Sequence, residues 1–262
     1  MNTRYAIALN GVGLQDLDAR ILVTDIQESA PRVQRTTVAN ARYDGLRLIR
    51  QSRQSLSVTV TFLLREYDIA RRKALCSDAC AWAASGGWLT VSDRPGQRLR
   101  VHADGLPAVT SALRWTDPLT LTLTALEQPY WQDACPTSLH KDIPAETLTT
   151  LSMLPMGNAP HCPLTCTLVN HGSSAATALT LNAGDTVFRL ADPALIAVNG
   201  TLTIDYDDQG MLRICSGSTS MLHARSADSS DDLLLTPGHS GSVSILCDQP
   251  LTATLHTRGM YL

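Results

Sequence analysis

The sequence predicts a mainly β protein in two domains, with one principal helix. Three observations predict it. The stretch SLSVTVTFLL alternates cleanly, with Leu56, Val58, Val60, Phe62 and Leu64 on one side and Ser57, Thr59 and Thr61 on the other, the period of a strand with one buried face. Directly after it the period changes to a helical one, and nowhere else does the chain carry a strong helical pattern. The rest breaks into short alternating runs divided by Gly, Pro, Asn and Asp turn residues.

In chain order, residues 4–9 and 20–27 read as strands joined by NGVGLQDLDA. The glycines Gly11 and Gly13 do not complete a dinucleotide fingerprint and no helix follows them, so a plain turn is expected. Residues 32–39 and 45–53 are extended and polar on both sides, with Asn40 to Gly45 between them. This ribbon, about 32–53, carries Arg32, Arg35, Arg42, Arg47, Arg50 and Arg53 and has no face suited to its own core. Two readings stay open: a solvated ribbon whose charges blunt its edges, or an arm that packs on a neighbouring subunit, since arginine is enriched at interfaces.

The helix is expected over about 68–84. Asp68 is a good N-cap. Ile69, Leu75, Cys76, Ala79, Cys80 and Ala83 share one side, and Arg71, Lys73, Ser77 and Asp78 lie outside. Gly86-Gly87 ends the helix, since glycine takes the left-handed cap conformation at little steric cost. Arg72 falls on the apolar stripe, where it must snorkel, pair with a carboxylate or face another subunit. A lone helix in a β-rich chain has to pack on a sheet, which makes strand and helix together the first core. Strands are expected at 88–92, 98–103, 107–115 and 118–126, with SDRPGQ a hairpin turn between the first two.

A boundary is expected just past Trp131, for two reasons. All four tryptophans, Trp82, Trp88, Trp115 and Trp131, precede it. Residues 1–133 carry a net charge of +3 and residues 134–262 a net charge of −6. Residues 134–161, rich in proline, read as a linker with one strand at most. Residues 162–262 read as an all-β domain with strands at 164–169, 177–182, 186–190, 201–206, 211–215, 220–225, 233–235, 242–247 and 251–257. Turn signals at that spacing favour a sandwich or jelly roll.

The overall charge of −3 argues against a dedicated nucleic-acid binder. Seven cysteines, an odd number without a small-domain spacing, read as reduced thiols of a protein folded in a cytoplasm. No apolar h-region follows Met1, and no apolar run approaches the length of a membrane helix, so neither a signal peptide nor membrane insertion is expected.

No constellation of catalytic residues emerges, and no enzyme, cofactor or metal is expected. Cys76 and Cys80 stand one turn apart, but a zinc site needs two more ligands, for which His161, Cys162 and Cys166 are the remaining candidates; buried thiols are the commoner outcome. Gly238-His239-Ser240-Gly241 resembles a serine-nucleophile loop only in part and reads as a turn. Asp205-Tyr206-Asp207-Asp208-Gln209-Gly210 begins like a calcium loop, yet Gln209 holds the fifth position and Ser216 the twelfth. Asp228, Asp231 and Asp232 read as a solvated acidic loop. For a sugar site the second domain offers no tryptophan, only Phe188, Tyr206 and Tyr261, of which the first two read as core.

Taken together, the segments resemble the distal tail (Dit) proteins of long-tailed bacteriophages and related prophages. The match runs through Tyr43-Asp44-Gly45, the strand SLSVTVTFLL, Asp68, Arg71-Arg72-Lys73, Ala81-Trp82-Ala83, Gly87-Trp88-Leu89, Ser92-Asp93-Arg94-Pro95-Gly96 and Pro129-Tyr130-Trp131. It continues through Asn170-His171-Gly172, Leu202-Thr203-Ile204-Asp205-Tyr206, Ser230-Asp231-Asp232-Leu233, Leu235-Thr236-Pro237-Gly238 and Arg258-Gly259-Met260-Tyr261. The resemblance implies an N-terminal β-sandwich with helix and long hairpin arm, whose copies assemble into a generally hexameric ring, and a galectin-like C-terminal domain outside it. It implies a structural tail-tip adaptor that joins the tail tube protein to the tail-associated hub protein and leaves a channel through which DNA passes without specific binding. It would be assembled in the bacterial host cytoplasm, with the outer domain a docking platform for a receptor-binding protein. The alternative is a carbohydrate-binding baseplate module that contacts host glycans.

Overall fold

A computed structural model describes residues 5–39, 46–108, 110, 114–207, 210–238 and 241–262. The chain forms two compact units, Met1–Trp131 together with Leu262, and Gln132–Tyr261.

The first unit begins with a tight hairpin of β1 (Ile7–Leu9) and β2 (Val12–Gly13), turned by Asn10 and Gly11 at φ 52° and 83°. Positive φ at both turn residues suits the right-handed twist of the flanking strands. It continues with β3 (Ile21–Glu28), β4 (Val33–Ala39), β5 (Leu46–Arg53), β6 (Leu56–Leu64), α1 (Ile69–Ala84), β7 (Gly87–Val91), β8 (Gln97–Gly105) and β9 (Leu119–Ala125). Seven of these strands form an antiparallel sheet in the order β2-β1-β7-β8-β9-β6-β3. β8 serves both halves: Leu99–Val101 pair with β7, and His102–Gly105 pair with β9 across a bulge.

The alternation of β6 is realised in full, with Leu56, Val58, Val60, Phe62 and Leu64 all buried. α1 packs against β6, β8 and β9. Asp68 caps it, its carboxylate accepting from the Ala70 and Arg71 amides at 2.7 and 3.2 Å. Gly86, at φ +57°, ends it. Asn10 ties that end to the β1–β2 turn, donating to the Gly86 carbonyl and accepting from the Trp88 amide.

The buried face of α1 differs in part from the expected one. Ile69 is exposed, while Trp82 is buried and donates its indole N–H to the Val12 carbonyl at 2.8 Å. Arg72 is buried, and its guanidinium donates to the Tyr67 carbonyl at 3.4 Å. A stem along the core and a head at the helix entrance is a snorkelling arrangement. The strand expected over 107–115 does not form among its described residues: β8 ends at Gly105 and Pro107 follows. Proline removes the amide that a ladder needs.

Trp131–Asp133 (β10) spans the division between the units. The second unit comprises β11 (Thr137–Ile143), β12 (Thr149–Met153), β13 (Cys162–Asn170), β14 (Ala176–Ala183), β15 (Thr186–Ile196), β16 (Thr201–Tyr206), β17 (Leu212–Ser216), β18 (Thr219–Ser220), β19 (Leu234–Leu235), β20 (Gly241–Cys247), β21 (Leu251–Thr257) and β22 (Met260–Tyr261). Two antiparallel sheets, β11-β21-β13-β16-β17-β18 and β12-β20-β14-β15, make a sandwich. The first contributes Leu164, Cys166, Leu168, Ile204, Ala253 and Leu255 to the core; the second contributes Leu179, Leu181, Phe188, Leu190, Val243 and Ile245.

Two expectations are corrected here. Residues 134–161 are not a linker, because β11 pairs with β21 over seven residues and β12 with β20 over five. The strand expected over 220–225 is replaced after Ser220 by a 3-10 turn, Leu222–Ala224, which buries Met221 and Ala224 three residues apart.

Candidate interface: the hairpin arm

β4 and β5 make a two-stranded sheet of their own. It grows from the end of the β3–β6 ladder, where the Ser29 amide donates to the Ser57 carbonyl and the Gln54 amide to the Arg32 carbonyl. Every residue of β4 is exposed, and so are the first six of β5. An isolated hairpin is marginal in water, so burying one this exposed would take a second surface.

Its composition shows what that surface would have to offer. Leu46 is 70% exposed, Ile49 61%, Leu48 50%, Val38 50% and Val33 45%. The described part of the arm contains Arg32, Arg35, Arg47, Arg50 and Arg53 and no Asp or Glu. Among the described residues, none of these arginines forms an ion pair. Arg35 donates to the Gln51 side chain at 3.3 Å, and the Arg53 guanidinium lies 6.0 Å from the centre of the Tyr130 ring.

The register gives the arm a sidedness that its sequence hides. Thr36 pairs with Arg50 and Thr37 with Leu48, so Ile49 is an extra residue, a bulge. A bulge shifts the alternation of its strand by one. Leu46 and Leu48 thereby join Val33, Arg35, Thr37 and Ala39 on one face, and Arg47 and Arg50 join Thr36 and Val38 on the other. The ribbon expected to be polar on both sides therefore has an apolar face toward its distal end. Arg42 and Tyr43-Asp44-Gly45 lie outside the described residues.

The other sequence candidates are accounted for differently. Among the described residues, no group of His, Cys, Asp and Glu is arranged to hold a metal ion. Cys76 and Cys80 both direct their thiols at the Pro107 carbonyl, at 3.8 and 3.7 Å, and burial pushes the Cys76 thiol up to about 12. Asp205 is held by Arg213 through two bonds of 2.9 and 2.7 Å, while Asp208 and Gln209 lie outside the described residues. The acidic loop is similarly engaged, Asp228 by Arg189 and Asp231 by Arg225. Phe188 is core, and the Tyr206 hydroxyl donates to the Leu233 carbonyl and accepts from its amide. His239 and Ser240 lie outside the described residues. An open hollow of about 480 Å³ beside α1 is lined by Leu9, Val12, Leu17, Asp78 and Trp82 among others, with a single carboxylate.

The fold and arm define a two-unit β protein with a projecting cationic hairpin. No family model matches the chain, and no curated protein matches it. Among solved structures it is similar to the crystal structure of the Dit protein of phage SPP1, a paradigm of hub adsorption apparatus in Gram-positive infecting phages. The TM-score is 0.71 at 14% identity, over 98% of this chain and 99% of that one. It is also similar to a chain of the phage p2 baseplate in its activated conformation with calcium, and to one with strontium, each at TM-score 0.48 and 10% identity over 97% of both chains. The chain thus has the fold of a Dit protein from end to end, in agreement with the motifs that resemble that family.

Proposed function

We propose that this protein is a structural adaptor of a phage tail tip, a Dit-like hub component of an adsorption apparatus, and that its arm joins it to a second copy of itself. The arm carries this reading: among the described residues it has five exposed apolar residues and five arginines without an ionic partner, on a hairpin that pairs with no third strand. Exposed apolar surface mixed with arginine is the composition of an interface core and its rim. The fold shared with SPP1 Dit supports placing that interface in a hub. Repeated head to tail, the contact closes a ring, taken as six copies, with a channel through which DNA passes; the tail tube protein docks on one side and the tail-associated hub protein on the other. The second unit then serves as the outer docking platform for a receptor-binding protein. Direct glycan binding finds less support, because Phe188 is buried and the Tyr206 hydroxyl is already bonded.

The test is removal of the arm. Replacing residues 33–53 by a short Gly-Ser turn leaves the β3–β6 ladder complete. Light scattering is expected to give monomers with an unchanged melting profile where the intact chain gives a ring visible by electron microscopy. A ring formed without the arm would refute the reading.

A further inference from the structure

The first unit carries a second exposed apolar cluster. Tyr67 is 78% exposed and Trp115 42%, with ring centres 5.4 Å apart and planes inclined at 53°. Ile69 and Leu106 are exposed as well, at 38% and 48%. Trp115 stands apart from the other tryptophans of the chain. Trp88 and Trp131 each carry an arginine over the ring, Arg98 at 3.8 Å and Arg94 at 5.2 Å, and Trp82 is buried on the Val12 carbonyl. Two aromatic faces are thus left to solvent at one place. The carboxylates beside them are already engaged, Glu66 by Arg20 at 2.7 Å and Asp68 by the amides of α1. The rings, rather than a free carboxylate, are what the cluster offers a partner.

The arm and this cluster lie at opposite ends of one strand. The arm leaves the sheet just before Leu56, and Tyr67 comes three residues after Leu64. Nine strand residues separate those ends by about 27 Å at the usual rise. Two surfaces that differ in composition and lie apart on one subunit can make a head-to-tail contact, the kind that generates rings.

We propose that Tyr67 and Trp115 receive the arm of a second copy of this chain, with Leu46 and Leu48 packed on the rings and the Arg35 guanidinium against the Trp115 face. This rests on the reading of the arm as the contact between copies, and adds where it lands. The chemistry is complementary. Leu46, Leu48 and Arg35 share one face of the arm, Arg35 one step along from Leu48. A guanidinium over an indole is attracted by the ring quadrupole, and aromatic residues and arginine dominate interface energetics.

The experiment has three arms, run at equal concentration. Tyr67→Ala/Trp115→Ala is expected to weaken ring assembly at least tenfold while the melting profile of the monomer stays unchanged. In the otherwise unchanged chain, Leu48→p-benzoylphenylalanine is expected to cross-link in trans to peptides holding residues 65–70 or 114–118. The arm-deleted chain is the reference. If the double variant assembles like the parent, or the cross-links map elsewhere on the partner, the landing site is wrong and the arm reading stands. If the arm-deleted chain itself forms rings, the arm reading falls and this inference falls with it.

Discussion

The β3–β6 and β4–β5 ladders are successive stretches of the same two chain segments, parted only by residues 29–32 and 54–55. Both are antiparallel, and each is broken by a single bulge, at Thr24 in the first and at Ile49 in the second. In β3–β6 the bulge keeps Ile26 opposite Val60, on the side where Leu56, Val58, Val60, Phe62 and Leu64 are buried. In β4–β5 the same device gathers Leu46 and Leu48, which stay 70% and 50% exposed. One device thus serves two burial schemes. Where the chain supplies its own second layer, the aligned face becomes core; where it does not, the face stays exposed.

The comparison is broken most severely at its buried end. Phe62→Ala removes a fully buried ring from β6 and is expected to cost about 3–5 kcal/mol in denaturant unfolding. Leu46→Ala, on the arm, is expected to change monomer stability by no more than about 0.5 kcal/mol while weakening assembly. Equal losses of stability from the two would mean that the arm is folded against its own body. Inserting one residue between Thr36 and Thr37 gives Ile49 a partner, removes the bulge and turns Leu46 and Leu48 to the face opposite Arg35. Sedimentation should then show assembly lost with the β content of the circular dichroism spectrum retained; assembly at parental strength would mean that the sidedness of the arm is irrelevant.

Thiol chemistry sharpens the contrast more gently. Burial pushes Cys166 up to about 12, and Cys162 and Cys247 to about 11. In the native protein at pH 8 these should resist a disulfide reagent, whereas Val38→Cys on the arm should react at once in monomers and become protected in assemblies. The sign of the linked pH effect follows. Unfolded thiols ionise near 9 while the folded ones hold their protons, so the second unit should lose stability as the pH rises above 9, progressively up to the raised values. A melting temperature flat between pH 8 and 10.5 would contradict that burial.

Some elements were legible because their determinants are local. The alternation in β6 and the Asp68 cap with its Gly86-Gly87 exit each sit within a few residues of chain. β11 and β12 were not. Their sequences, TSLHKDI and TTLSM, are largely exposed, and what makes them strands is pairing with β21 and β20, about a hundred residues downstream. Arg72 on the apolar stripe needed the Tyr67 carbonyl in place before its burial had a physical account. The arm was legible as a basic ribbon, but Tyr67 and Trp115, 48 positions apart in sequence, carried no signal of meeting.

By itself, the amino-acid order determined the alternating strand β6, the capped helix after it and the basic character of the arm. The first two are consequences of side-chain period and of caps, which act within a turn or a strand. Only the tertiary structure decided where the proline-rich middle belongs, which face of the arm gathers its leucines, and that two distant aromatic rings share one exposed spot. Each of these depends on register and long-range pairing, and a single bulged residue such as Ile49 puts every side chain beyond it on the face opposite to the one plain alternation gives.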